Sequence, residues 1–116
     1  MTLYYLDKIS NQNYYVPVTK YLNDDREKIN IIIDNLSSNY IYESSLVSLL
    51  NQNTELINYE IEDEIMTLNF NNSIFTHDKI LEEVTYTIKE SVCSTYPVKS
   101  VILEVEGNVE STNNCN

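Results

Sequence analysis

The sequence predicts an α+β domain in which two helices pack on one mostly antiparallel sheet. Short stretches rich in Ile, Val, Tyr and Leu are separated by polar turns, which is the pattern of β-hairpins. Two other segments repeat apolar residues at intervals of three and four, which is the spacing of an amphipathic helix. The expected order is therefore β-β-α-β-β-α-β, with a short sixth strand, in a two-layer arrangement.

The first two strands are predicted at Leu3–Leu6 and Asn13–Leu22, joined by the polar turn "DKISNQN". Pro17 lies in the middle of the second strand, where a central position would need an N–H donor. Proline is tolerated at a sheet edge whose missing donor faces outward. We therefore expect an edge strand on which Pro17 limits uncontrolled pairing with other chains.

Two amphipathic segments predict the helices. Asn23 can cap the first, and Thr76 can cap the second, which is expected over residues 77–95. The apolar stripes are Ile29, Ile32, Ile33 and Leu36 in the first helix and Leu81, Val84, Ile88 and Val92 in the second. Ile31 and Tyr86 lie off these stripes, and Ile31 is expected to be either covered by the next segment or exposed.

The remaining strands form hairpins on either side of the second helix. The expected strands are Thr54–Ile61, Ile65–Phe70, Val98–Val105 and a short one at Val109. Tight turns are predicted at Glu62-Asp63 and Gly107-Asn108, and residues 37–53 are expected to form a long connection with one helical turn near 43–50. Alternation places Ile57, Tyr59 and Ile61 on one face.

The length of 116 residues and 42% hydrophobic content suit one domain, expected over residues 1–110 with a polar, frayed tail at 111–116. No apolar run approaches the roughly 20 residues that span a bilayer, and the first residues lack the features of a signal peptide. Met1 fits a native start and a domain cut from a longer chain equally well.

The residue types that carry chemistry are sparse. His77 is the only histidine and is predicted to be a surface residue at a helix end. The acids at 60–64 are expected to form a solvated turn that points to both faces, because a Ca²⁺ loop needs a glycine-assisted turn and set spacing. Cys93 and Cys115 form no zinc pattern and are expected to be structurally idle and not disulfide-bonded. No catalytic, cofactor-binding or metal-binding residue is predicted.

The net charge of −11 disfavours nucleic acid and anionic lipid as partners, since both need clustered Lys and Arg. Self-repulsion that keeps the chain soluble is the simplest explanation, and an acidic surface could also meet a basic partner. The candidate partner-binding residues are Tyr15, Pro17, Tyr21, Ile31 and Tyr86. Tyr15 and Tyr21 stand beside Pro17 on the predicted edge strand, Ile31 and Tyr86 face away from the helix stripes, and tyrosine is enriched at interfaces.

Three stretches, taken in order, resemble the GerM (GerMN) sporulation and spore germination domain family. They are "LYYLDKISNQNYYVPVTKYL", "TELINYEIEDEIMTLNF" and "VILEVEGNVE", and the match runs from Leu3 to about Glu110. Two features depart from the family pattern. Residues 37–53 lack its glycine and proline, and Glu64 stands where the family has a turn glycine.

The resemblance implies a non-enzymatic protein-interaction or assembly domain without cofactors. Proteins of this kind are typically exported, are held at a membrane by a segment that lies outside this chain, and act between the mother cell and forespore membranes. The order of elements from Asp24 to Val105 is similar to that of ring-building motifs, so the implied partner is a protein of an envelope complex, and a homo-oligomer is possible.

Two other classes of function stay open. A spore-wall hydrolase, or its auxiliary, would need two carboxylates within roughly 5–10 Å across a groove. A wall-glycan binding module would instead line up exposed tyrosines for sugar stacking.

Overall fold

The computed structural model describes residues 2–9, 12–19, 27–37 and 48–115. Within these residues the predicted order of elements is confirmed, and the fold is α+β with two helices. The elements are β1 (Thr2–Ile9), β2 (Gln12–Thr19), α1 (Lys28–Ser37), β3 (Leu56–Glu62), β4 (Ile65–Phe70), α2 (Glu82–Thr95), β5 (Ser100–Val105) and β6 (Asn108–Asn114), with a 3₁₀ turn at Asn72–Ile74. The predicted cap Asn23 and most of the predicted turn at 43–50 lie outside the described residues.

The strands form two sheets, where the sequence suggested one. β1 and β2 pair as an antiparallel hairpin, and a four-stranded sheet has the order β3-β4-β5-β6. β3–β4 and β5–β6 are antiparallel hairpins, whereas β4 and β5 run parallel because α2 crosses between them. The β1–β2 hairpin packs mainly on α2.

One face of the four-stranded sheet and the helices enclose the core. Side chains alternate along β4 and β5, so that every second residue is fully or nearly fully buried: Met66, Leu68 and Phe70 on β4, and Val101, Leu103 and Val105 on β5. Most of the predicted helix stripes are buried with them: Ile29, Ile32, Ile33, Leu36, Val84, Ile88 and Val92. The hairpin adds Leu3 and Tyr5 to this core. The opposite face of the sheet has no helix on it in the described part of the chain, and we call it the open face.

A β-bulge in β3 changes the predicted alternation. Leu56 pairs with Phe70 and Tyr59 pairs with Leu68, so residues three apart share the core side of the sheet. The extra residue of the bulge is Ile57, which is 53% exposed. The prediction that Ile57 shares a face with Tyr59 and Ile61 is therefore wrong for Ile57.

The hairpin turns are displaced by one residue from the predicted positions. Glu62 pairs with Ile65, so the β3–β4 turn consists of Asp63 and Glu64, whose φ angles are 53° and 66°. The β5–β6 turn likewise consists of Glu106 and Gly107, with φ angles of 49° and 86°. Two positive φ angles are typical of the type I′ turn that matches the twist of a hairpin. The first turn reaches this geometry without glycine.

Glu64→Gly is expected to raise the free energy of unfolding by about 0.5–1 kcal/mol. The left-handed conformation costs a residue with a side chain about 1–2 kcal/mol, and glycine removes this cost. Part of the stabilisation is lost because glycine gives the unfolded chain more conformational entropy. Urea denaturation measures this change. Glu62→Gly, in an extended position of β3, is the matched control and should destabilise the domain. A loss of stability in Glu64→Gly would contradict the strain argument.

The second helix begins later than predicted. His77 and Asp78 have φ angles of 52° and 67°, and Thr76 and Lys79 exchange backbone hydrogen bonds around them. These four residues form a tight turn, so Thr76 does not cap the helix. α2 starts at Glu82, and its first turn carries Glu82 and Glu83, which favour the positive end of the helix dipole.

The last described residues belong to a strand and are covalently linked to α2. β6 runs to Asn114, and Cys115 forms a disulfide with Cys93 in α2, with a Cα–Cα distance of 5.7 Å. The Cα–Cα distance lies within the range that a disulfide bond requires. The predictions of a frayed tail from Ser111 and of two idle cysteines are both wrong for the described residues, which end at Cys115.

Candidate functional site

Pro17 lies on the outer side of the β1–β2 hairpin, as predicted. Two residues that face each other in an antiparallel pair either exchange backbone hydrogen bonds, or the N–H and C=O groups of both point away from the partner strand. The N–H of Tyr4, which faces Pro17, donates to Ser91 Oγ in α2 at 2.8 Å and so points away from β2. The nitrogen of Pro17 therefore also faces outward, where the ladder needs no donor. Within the described strands β2 pairs with β1 alone, which confirms the predicted edge strand.

The structure brings Tyr15 and Tyr86 together across two elements. Tyr15 is on β2 and Tyr86 is on α2, and their ring centroids are 4.1 Å apart with planes inclined by 37°. Pro17, two residues along the same face of β2, is exposed. Lys89 Nζ lies 4.6 Å from the Tyr86 ring centroid, in a cation–π arrangement. We call Tyr15, Pro17, Tyr86 and Lys89 the tyrosine patch.

The surroundings of Tyr15 raise the pKa of its phenol. Partial burial raises the pKa of Tyr15 above its ordinary value, and the nearby charges of Glu83 and Glu82 and the Tyr86 side chain raise it further. A tyrosine is ordinarily protonated at neutral pH, and this shift acts in the same direction, so the phenol can donate a hydrogen bond. The patch combines apolar ring area with polar tips, which is typical of residues at protein interfaces.

The other two predicted partner-binding residues do not join the patch. Ile31 is only 5% exposed, so its prediction as a surface contact is wrong: the side chain is covered within the folded chain. Tyr21 lies outside the described residues. Lys89 was missed, although its position three residues after Tyr86 on a helix places the two side chains on the same face.

A second surface feature lies on the open face of the four-stranded sheet. A shallow depression of about 230 Å³ is bordered by Glu60, Glu62, Asp63, Ile65, Thr67 and Ile102. Glu60 and Glu62 are two residues apart on β3, so they point to the same face. The prediction that the acids of this hairpin scatter over both faces is therefore wrong for these carboxylates.

The described residues offer few groups for catalysis. His77 is exposed in its turn, and no set of three or more His, Cys, Asp and Glu side chains in this part of the chain is placed to hold a metal ion. The acids of the depression are exposed to solvent on a sheet face. None of the described helices has the length and apolar character needed to cross a membrane.

Comparison with known proteins gives consistent results. Residues 2–111 match the family model described as Germane: Sporulation and spore germination. Spore germination protein GerM of Bacillus subtilis (strain 168) is 32% identical over 97% of this chain, which spans 33% of that protein. The solved tandem GerMN domains of the same organism's sporulation protein GerM match with a TM-score of 0.88 and 31% identity, over 98% of this chain and 43% of theirs.

A more distant structure shares the fold alone. A putative lipoprotein from Clostridium perfringens has a TM-score of 0.61 at 12% identity, over 98% of this chain and 85% of its own. The chain thus spans about a third of the curated relative and under half of the tandem structure. The fold, the family model and the 32% identical relative agree, and the chain belongs to the Germane family of sporulation and spore germination domains.

Proposed function

We propose that this chain is a non-enzymatic interaction domain of a sporulation or spore germination protein that docks a protein partner of an envelope complex through the tyrosine patch. The observation that carries the proposal is the contact between Tyr15 and Tyr86, which presents two aromatic rings and the adjoining Pro17 on one surface. Tyrosine is one of the residue types that are enriched at the positions that dominate binding energy.

The patch is preorganised, which supports a binding role. Tyr15 is held by Tyr86, and Tyr86 is held by the Lys89 ammonium, which also pairs with Glu90 at 2.8 Å. β1 is joined to α2 by the hydrogen bond from the Tyr4 N–H to Ser91 Oγ. Because β2 is paired with β1, this bond also helps to fix the separation of β2 and α2, which carry the two tyrosines. A partner would then lose little side-chain entropy when it binds these rings.

An extracytoplasmic location is part of the proposal. The Cys93–Cys115 disulfide supports it, because disulfides persist in exported proteins and are reduced in most cytosols. The GerM relative, by its name, acts in spore germination. The proposed place of action is the space between the mother cell and forespore membranes, with membrane attachment through a segment outside these residues.

Photocrosslinking in sporulating cells tests the docking surface. Benzoyl-phenylalanine is placed at Tyr86 in the full-length protein. A matched variant carries it at Gln52, an exposed residue in the loop before β3 that is not part of the tyrosine patch. We expect a light-dependent adduct from Tyr86 alone, identified by mass spectrometry as an anchored envelope protein, and a large loss of that adduct when Tyr15→Ala is added. No adduct, or equal adducts from both positions, would contradict the proposal.

Exposed tyrosines also suit a wall-glycan binding module, which is the second candidate. The same crosslinking experiment separates the two, because a glycan module would yield peptidoglycan fragments attached at Tyr86 and no protein. Measured turnover of purified peptidoglycan by the isolated chain would instead contradict the non-enzymatic part of the proposal.

A further inference from the structure

We propose that the open face of the four-stranded sheet binds a basic segment of a protein partner, with one long cationic side chain seated in the depression between Glu60, Glu62 and Asp63. This surface is separate from the tyrosine patch, and the proposal does not depend on the function proposed for that patch.

The depression has an apolar floor and an acidic rim. The register places Ile65 and Thr67 of β4 beside Ile102 of β5, and these three side chains form the floor. Ile65 is 37% exposed although it is apolar. Glu60 and Glu62 stand along the β3 side, and Asp63 closes one end. Lysine and arginine combine an apolar stem with a charged head, so their stems fit the isoleucines while their heads reach the carboxylates.

The size of the depression favours a side chain over an organic cofactor. Its volume of about 230 Å³ is below the roughly 300–1,000 Å³ that is typical of sites for small organic ligands. It is also open to solvent along the sheet, which suits a segment that lies across the strands and inserts one residue.

Charge complementarity identifies the partner as basic. The paired positions on the described open face include Glu60, Glu62 and Glu104 and no lysine or arginine. The whole chain has 18 acidic and 7 basic residues, so its field attracts cations from a distance. The hairpin already holds one cation of its own chain, since Lys99 Nζ lies 2.9 Å from Glu64 Oε2 at its tip.

A single exposed ion pair contributes little to binding. The apolar floor and the several carboxylates must therefore act together. A cationic side chain seated in the depression should therefore depend on both the carboxylates and the isoleucines, whereas the general attraction of an acidic protein for polycations should depend on net charge alone.

The test is a titration of the ¹⁵N-labelled chain with a hexa-arginine peptide, followed by NMR. We expect shifts concentrated at Ile65, Thr67 and Ile102. Glu60→Gln/Glu62→Gln should weaken binding about tenfold, the equivalent of losing charge-assisted contacts. The control Glu27→Gln/Glu82→Gln removes the same charge from the helix side of the domain and should change affinity by less than about twofold.

A second pair of variants probes the floor without changing the charge. Ile65→Ser should weaken binding about fivefold, whereas Ile61→Ser, which is 47% exposed and lies on the core side of the sheet opposite Met66, should not weaken it. Equal losses in the two charge variants, or no loss in Ile65→Ser, would overturn the proposal in favour of non-specific attraction. Shifts at the same residues that grow with protein concentration alone would overturn it in favour of a second copy of the chain.

Discussion

Replacing Cys93 and Cys115 together by serine is expected to lower the free energy of unfolding by about 3 kcal/mol. The disulfide links residues 22 apart in sequence, and a loop of this size restricts the unfolded chain by roughly that amount in the chain-entropy model. Both cysteines also pack against the core, so the change reaches the end of β6 and the C-terminal part of α2. Urea denaturation without reductant measures the loss.

Reduction provides the internal control. Dithiothreitol should lower the unfolding midpoint of the wild-type chain toward that of the double variant and leave the double variant unchanged. Ser94→Ala, an exposed change next to Cys93 on the same helix, should alter stability by less than about 0.5 kcal/mol. A wild-type midpoint that is unaffected by reductant would show that the bond does not restrict the chain.

Ser91→Ala is expected to cost about 1.5 kcal/mol. The Ser91 side chain is fully buried, and its oxygen accepts the hydrogen bond from the Tyr4 N–H. Alanine leaves that donor without a partner at the junction of β1 and α2, and an unsatisfied buried donor costs about 1–3 kcal/mol. Chemical denaturation measures the total, and hydrogen exchange of the Tyr4 amide should speed up more than that of the Leu68 amide in β4.

The two readouts together separate a local effect from a general one. Ser94→Ala again serves as the control on α2. If Ser91→Ala lowered stability while exchange rose equally at Tyr4 and Leu68, the hydrogen bond would not be what joins the hairpin to the helix. The loosened hairpin should also reduce the contact between Tyr15 and Tyr86, which the photocrosslinking experiment would detect as a weaker adduct.

The order of elements was predictable because it follows from local periodicity. Short apolar runs between turns, such as Ile65–Phe70, predict a strand, and intervals of three and four, as from Ile29 to Leu36, predict a helix and its buried face. The outward position of Pro17 was also predictable, since a missing N–H leaves few positions in a hairpin.

Features that depend on contacts between distant segments were not predictable. The disulfide forms only because the register of β6 on β5 carries Cys115 to the side of the sheet where α2 packs. The bulge at Ile57 and the positive φ at Glu64 follow from how β3 fits β4, and neither residue type signals such a conformation. The approach of Tyr15 to Tyr86 likewise depends on how the first hairpin docks on a helix about 70 residues later, which no local pattern encodes.

The parallel pairing of β4 with β5 has a consequence for the speed of folding. Each of the two hairpins β3–β4 and β5–β6 closes over a turn of two residues and can form within microseconds. The two hairpins can pair through β4 and β5 only after the chain between these strands has crossed over as α2. Bringing β4 and β5 together therefore carries the entropic cost of closing a long loop. The barrier to folding should therefore lie at the β4–β5 seam, so that shortening Leu68 or Leu103 slows refolding, whereas weakening the edge strand β6 mainly hastens unfolding.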